Sequence, residues 1–291
     1  MLKGQSMESP TFILGTGRCG STVFHRMLVR HEALAYISNI NTRFRKLPRL
    51  GVPKAMFHRV LLRAGIGEPV EAYPLLAQAF PGFVEPCRDL GGDDVTLSGG
   101  KRIRELFTEI QQGQRKERFC YKYTGWPRLE FFSRIFPSAR FIHVVRDGRA
   151  VANSLLHVPW WTGWSGPENW RWGPLPERYR REWEDEERSF AVLAGIQWKI
   201  LLDQVEATRP LIHPEQFLEI KYEELMERPL PVFRRVCEYL DLDYSQLFER
   251  ALRRVELRNA NWKWESDLPE SEKARLNRSL RSHLEKHGYS Q

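Results

Sequence analysis

A chain of 291 residues with 42% hydrophobic and 28% charged side chains has the balance of a globular protein and enough length for one large domain. No apolar run approaches membrane-spanning length, and the opening MLKGQSMESP lacks the apolar core of a signal peptide, so no transmembrane segment and a cytoplasmic location are expected. The net charge of +8 suits an anionic ligand, but the basic residues are scattered without a nucleic-acid motif, and the cysteines at 19, 87, 120 and 237 form no Cys-x-x-Cys pair, so neither a nucleic-acid partner nor a metal site is expected.

In chain order, the first informative stretch is Thr11 to Leu28, TFILGTGRCGSTVFHRML. Its apolar run Phe12 to Leu14 predicts a buried strand, Gly15 to Gly20 a turn, and Ser21 onward a helix. Such a strand–loop–helix unit cradles phosphate, because loop N–H groups and the positive end of the helix dipole converge on an anion. Gly17, Arg18, Cys19, Gly20, Ser21 and Thr22 are the candidate contacts. The spacing matches a nucleoside-triphosphate loop except that Ser21 stands where the lysine belongs, which argues against ATP or GTP and leaves Arg18 as the loop's cation. A glycine-rich turn with no ligand is the plain alternative. Cys19 does not open a cysteine-phosphatase motif, since the sixth residue after it is His25 and the arginine comes one place late.

The helix after the loop turns Val23, Met27 and Leu28 inward, and HEALAYI leads into a second short strand. Residues 39 to 100 mix short helical patterns with proline and glycine, as expected of an insertion over the sheet edge or of a core helix hairpin. Residues 101 to 112 carry Ile103, Phe107 and Ile110 on one helical face, and Phe119 to Tyr123 alternates like a strand that contains Lys122, a residue costly to bury unpaired. Arg140 to Leu156, RFIHVVRDGRAVANSLL, repeats the grammar of strand, turn and helix, and places Arg146 and Ser154 where both can face a crevice at the carboxyl edge of a sheet. Five of the ten tryptophans then fall between His157 and Gly173, a density that suits a lid and wall for an acceptor more than a buried aromatic plug. Pro176 to Ala207 reads as one long helix, FLEIK as a strand, and the last helix carries Leu276, Leu280 and Leu284.

Taken together, GTGRCGST and RDGRAVANS resemble the sulfotransferases that use 3′-phosphoadenosine 5′-phosphosulfate, specifically the broad bacterial and tyrosylprotein-type branch. The resemblance implies a single P-loop-type α/β domain over residues 1–291, with a central parallel sheet flanked by helices and acceptor-side insertions near 39–100 and 157–173. It implies that the first loop holds the 5′-phosphosulfate, that Arg146 and Ser154 hold the 3′-phosphate, that Lys122 and Arg18 stabilise the transferring group, and that Tyr222 lies near the adenine. Lys263 falls in a tail where relatives close a basic or polar segment over the cofactor. The implied reaction needs no metal and moves a sulfuryl group to a hydroxyl or amine of a small molecule, carbohydrate or peptide; no oligomeric state is implied. Relatives commonly carry a glutamate or histidine base soon after the first helix, but here SNINTR offers only Asn39 and Asn41, so Glu85 and His157 are the candidate bases, ahead of a buried His143. A small-molecule kinase on a P-loop fold and a non-catalytic nucleotide-binding protein are the competing readings.

Overall fold

The computed structural model describes residues 9–43, 67–84 and 87–289. Five strands, β1 (Thr11–Leu14), β2 (Leu34–Tyr36), β3 (Arg118–Lys122), β4 (Arg140–Val145) and β5 (Phe217–Lys221), form one parallel sheet in the order β2-β3-β1-β4-β5. The interior strands β1, β3 and β4 are buried almost end to end, which is why β1 and β4 read as near-continuous apolar runs, whereas the edge strand β5 is buried only at Phe217 and Ile220. The stretch FCYKY forms the strand expected of it, but its burial does not follow the alternation of its sequence, because β3 has a neighbour on each side and helices on each face.

Register sorts the side chains onto two faces. Phe12 lies beside Tyr121 and Phe141 and stacks on Phe132 at 4.2 Å, within an aromatic layer shared with the helices Leu97–Gln114 and Leu129–Ile135. Ile13, Cys120, Ile142 and Ile220 point the other way, against the helices Ser21–Leu28 and Pro229–Leu240. A third apolar cluster joins the helices Gly148–Leu156, Phe190–Thr208 and Glu270–Lys286; Gly148 makes it possible, because a Cβ there would lie 2.7 Å from the Trp198 ring. Among the described residues no helix is long and apolar enough to cross a membrane.

The expected long helix from 176 to 207 is two helices, Glu177–Asp185 and Phe190–Thr208. Glu187 and Arg188 adopt left-handed backbone conformations, and Ser189 restarts the helix by accepting a hydrogen bond from Val192 N at 3.2 Å. A serine cap inside a charged run was the signal for this break.

Strand order places the site. The chain leaves β1 for β2 and β3 on one side and then crosses to β4 on the other, so the loops after β1, β3 and β4 diverge around a crevice at their carboxyl ends. One more segment reaches this edge. Residues 68–70, within the 39–100 insertion, pair back onto the end of β2, with Val70 N donating to Ile37 O at 3.0 Å and Asn39 N to Glu68 O at 2.9 Å.

Candidate active site

The loop after β1 is shaped to receive an anion. Gly17, Arg18 and Gly20 all have positive φ, and the helix Ser21–Leu28 starts after Gly20 with no side chain capping its first turn. Its leading N–H groups are left for a ligand. A Cβ at Gly20 would lie 2.3 Å from the Tyr222 ring, so glycine here serves both the left-handed turn and the close seat of the tyrosine on the loop.

Two guanidiniums meet beside this loop. Arg18 donates through Nε to Ser154 Oγ at 2.8 Å. Arg146 donates to the Arg18 carbonyl at 3.0 Å, to Asn261 Oδ1 at 3.0 Å and to the Ala260 carbonyl at 3.1 Å, while the Tyr222 ring covers it at 4.4 Å. Among the described residues no carboxylate pairs with either arginine. Partial burial, and then the neighbouring Arg146 charge, lower the Arg18 pKa from its usual value. Three of the five Arg146 donors are engaged, leaving one N–H on each terminal nitrogen, an arrangement suited to a phosphate.

Lys122 connects the cradle to the other half of the crevice. It is 4% exposed, donates to Thr22 Oγ1 at 3.0 Å and pairs with Glu71. Thr124 Oγ1 donates to the second Glu71 oxygen at 3.2 Å, and Tyr121 holds the Glu71 carbonyl at 2.6 Å. SNINTR offers no acid, and Glu71 supplies a carboxylate here from within the 39–100 insertion, because Glu68 and Val70 hydrogen-bond to Asn39 and Ile37. The pattern EPVEAYP carried no local sign of this.

The crevice encloses a cavity of ≈ 560 Å³. Gly17, Arg18, Gly20, Ser21, Thr22, Arg146, Tyr222 and Lys122, all expected in the site, line it. Ser154 joins through its bond to Arg18. Cys19 sends its side chain into the core, fully buried, rather than into the cavity. Lys263 is exposed at the start of a short helix, and the tail reaches Arg146 through Ala260 and Asn261 instead. His157 is also exposed and is not among the residues lining the cavity, its Nδ1–H donating to the Asn153 carbonyl at 2.8 Å as the helix ends. Glu85 lies outside the described residues. His143 is a core group, 1% exposed and bonded to Glu219 at 3.2 Å. The tryptophan segment divides between the two roles weighed for it: Trp160, Trp161 and Trp172 line the cavity, while Trp170 is buried and donates to the Gly173 carbonyl.

Behind the cradle, His25 is buried with its Nε2 unpartnered. Burial first, then the Lys122 and Arg26 charges, push its pKa from 6.5 to about 3, so it is neutral in the folded protein. Folding then excludes a proton that the unfolded chain accepts: the stability tied to neutral His25 is complete above pH 6.5 and is lost as pH falls toward 3. Relative to His25→Gln, the wild-type protein is expected to lose about 1.4 kcal/mol per pH unit below that point. Urea unfolding of both proteins at several pH values measures the difference, and parallel curves would refute it.

A model described as "Sulfotransferase family" matches residues 10–246. Among curated proteins, the omega-hydroxy-beta-dihydromenaquinone-9 sulfotransferase of Mycobacterium tuberculosis is 24% identical over 313 residues, covering 97% of this chain and 76% of that protein. Protein-tyrosine sulfotransferase A of Caenorhabditis elegans is 24% identical over 246 residues, covering 83% and 52% respectively. Among solved structures, a sulfotransferase from Mycobacterium avium shares the fold with a TM-score of 0.61 at 18% identity, over 99% of this chain and 79% of that one. The sulfotransferase domain from the curacin biosynthetic pathway does so with a TM-score of 0.55 at 16% identity, over 98% and 99%. The kinase and non-catalytic readings give way, because the family match runs through all five strands and both arginine-bearing loops: the chain belongs to the sulfotransferase family.

Proposed function

We propose that this sulfotransferase takes 3′-phosphoadenosine 5′-phosphosulfate as donor, holding its 5′ end on the Gly15–Thr22 loop, its 3′-phosphate on Arg146 and Ser154 and its adenine beside Tyr222. The observation that carries the reading is the adjacency of Arg18 and Arg146 at an uncapped helix start with no carboxylate paired to either among the described residues, a cost that a multiply charged anion would offset. The donor supplies a sulfur–oxygen bond whose cleavage leaves negative charge on a phosphate oxygen. Loop N–H groups, Arg18 and the Lys122 ammonium stabilise negative charge at the cradle, preorganised by their own packing. Competition from an anion for Lys122 loosens its hold on Glu71, and a Glu71 oxygen takes the acceptor proton. The same reading treats residues 1–291 as one domain and places it in the reducing cytoplasm, which the four unpaired cysteines fit.

The acceptor half of the cavity is lined by three indoles, the Gln197 amide and Arg171. Trp161 Nε1 donates to Gln197 Oε1 at 2.8 Å, which turns the Gln197 amide so that its NH₂ is the part left for a ligand. Flat ring faces favour an acceptor hydroxyl on an aromatic or apolar body, and Arg171, with no carboxylate partner among the described residues, favours one with a negative group nearby. The names of the two relatives point to a hydroxylated menaquinone derivative and to protein tyrosine, both compatible with such a wall.

Calorimetric titration in chelator with adenosine 3′,5′-bisphosphate, adenosine 5′-phosphate and ATP tests the donor assignment. The bisphosphate is expected to bind best, and Arg146→Ala to weaken it by about 10- to 100-fold, the worth of hydrogen bonds to a charged group. Preference for ATP, or no binding by folded protein, would overturn the assignment.

A further inference from the structure

Arg146 is held by a chain of contacts that runs through Asn261 and Glu223 to Tyr289. Its Nε donates to Asn261 Oδ1 at 3.0 Å, and the other end of that amide, Nδ2, donates to Glu223 Oε1 at 3.1 Å. Because a guanidinium can only donate and a carboxylate can only accept, this sandwich fixes which way the Asn261 amide faces. The same Glu223 oxygen accepts from Asp147 N at 3.1 Å, fixing the backbone directly after Arg146. Glu223 therefore reaches Arg146 by two routes, one through the side chain that meets the guanidinium and one through the peptide that carries it.

Glu223 is itself held by the segment that follows the helix Glu270–Lys286. Tyr289 is 8% exposed and donates its hydroxyl to Glu223 Oε2 at 3.2 Å. Lys221 fastens the same turn, donating to the Gly288 carbonyl at 3.3 Å and lying 5.0 Å from the centre of the Tyr289 ring. The segment after the helix Glu270–Lys286 is thus clamped onto the three residues Lys221 to Glu223, which run from the last residue of β5 into the next turn and include the tyrosine on the phosphate loop.

We propose that Glu223, steadied by Tyr289 and acting through Asn261 and the Asp147 turn, is a positioning residue that sets how strongly the site prefers nucleotides bearing a 3′-phosphate. The inference rests on the assignment of Arg146 to that phosphate. Without Glu223 the Asn261 amide can rotate and present its NH₂ to Arg146, donor against donor, and the two N–H groups reserved for the ligand lose their aim. This chain of contacts reaches the Gly15–Thr22 loop through Arg146 and through the seat of the Tyr222 ring on Gly20, and removing the Glu223 side chain leaves that seat in place, so binding of a 5′-phosphate alone is expected to change little.

Calorimetry with adenosine 3′,5′-bisphosphate and with adenosine 5′-phosphate separates these effects. Glu223→Ala is expected to weaken the bisphosphate about tenfold or more while the monophosphate stays within about twofold. Asn261→Ala, at a partly exposed position, is expected to act in the same direction and covers the case in which Glu223→Ala does not fold. Glu223→Gln, which keeps an oxygen for Asn261 and Asp147, is expected to recover most of the loss, and Tyr289→Phe to cost the bisphosphate about two- to fivefold. Equal weakening of both nucleotides, or a wild-type preference unchanged in Glu223→Ala and Asn261→Ala, overturns the positioning role alone. A wild-type protein with no preference for the 3′-phosphate overturns the Arg146 assignment and the positioning role with it.

Discussion

Glu71→Gln is expected to lower kcat by about 10²- to 10⁴-fold, the range for loss of a positioned proton acceptor, with the affinity for adenosine 3′,5′-bisphosphate little changed. Among the described residues lining the cavity Glu71 is the one carboxylate, and no histidine lines it. Tyr73 is no substitute: burial raises its pKa well above the ordinary phenol value, and its hydroxyl is spent on the Thr124 carbonyl at 2.8 Å. The Glu71 side chain is a quarter exposed, so it reaches the cavity while Thr124 and Lys122 fix both of its oxygens. Glutamine keeps the shape but cannot take a proton, and it leaves Lys122 buried without its counter-charge, so a loss of thermal stability accompanies the loss of turnover. Single-turnover rates with donor bound separate chemistry from that structural cost, since a destabilised protein that still folds at low temperature retains its rate if Glu71 is only structural. Wild-type rates under those conditions would move the base elsewhere.

The parts of the site that were legible in the sequence are those whose chemistry is local. A phosphate cradle needs glycines at fixed places and a helix directly behind them, so GTGRCGST shows itself without any knowledge of the fold. Arg146 could be placed because RFIHVV is an interior parallel strand, buried on both faces and therefore apolar throughout, and an arginine just past such a strand faces the crevice. Glu71 could not, because what brings it beside Lys122 is the pairing of Val70 with Ile37 and of Glu68 with Asn39, residues too far apart in the chain for any local pattern to reveal the partnership. The same limit explains Lys263. Charge selected it within RNANWKW, yet the contact that matters there is an amide and a carbonyl two and three residues earlier, chosen by the path of the backbone around Arg146. His157 was attractive for its chemistry and its nearness to the tryptophans, but it occupies the end of the helix Gly148–Leu156, where its ring satisfies a carbonyl the helix leaves open.

Lys122→Met is expected to lower kcat by about 10²- to 10³-fold, the effect of removing one preorganised donor from a site of developing charge. Methionine keeps most of the length and apolar bulk of the lysine stem at the end of β3, and the neighbours that remain, Thr22 and Glu71, both reach the cavity, so folding is expected to survive. Burial of an ammonium at 4% exposure is otherwise hard to account for, because one ion pair and one hydroxyl scarcely offset its desolvation. A charge kept there at such a cost is better explained by an anion that arrives later. Lys122 and Glu71 touch, so their contributions form one unit: if the ammonium serves the departing oxygen and the carboxylate takes the proton, Lys122→Met combined with Glu71→Gln falls little further than the worse single variant. Effects that multiply would instead show two independent roles. A Lys122→Met protein with wild-type kcat and a raised KM would reduce Lys122 to a binding contact and leave the loop N–H groups and Arg18 to stabilise the charge alone.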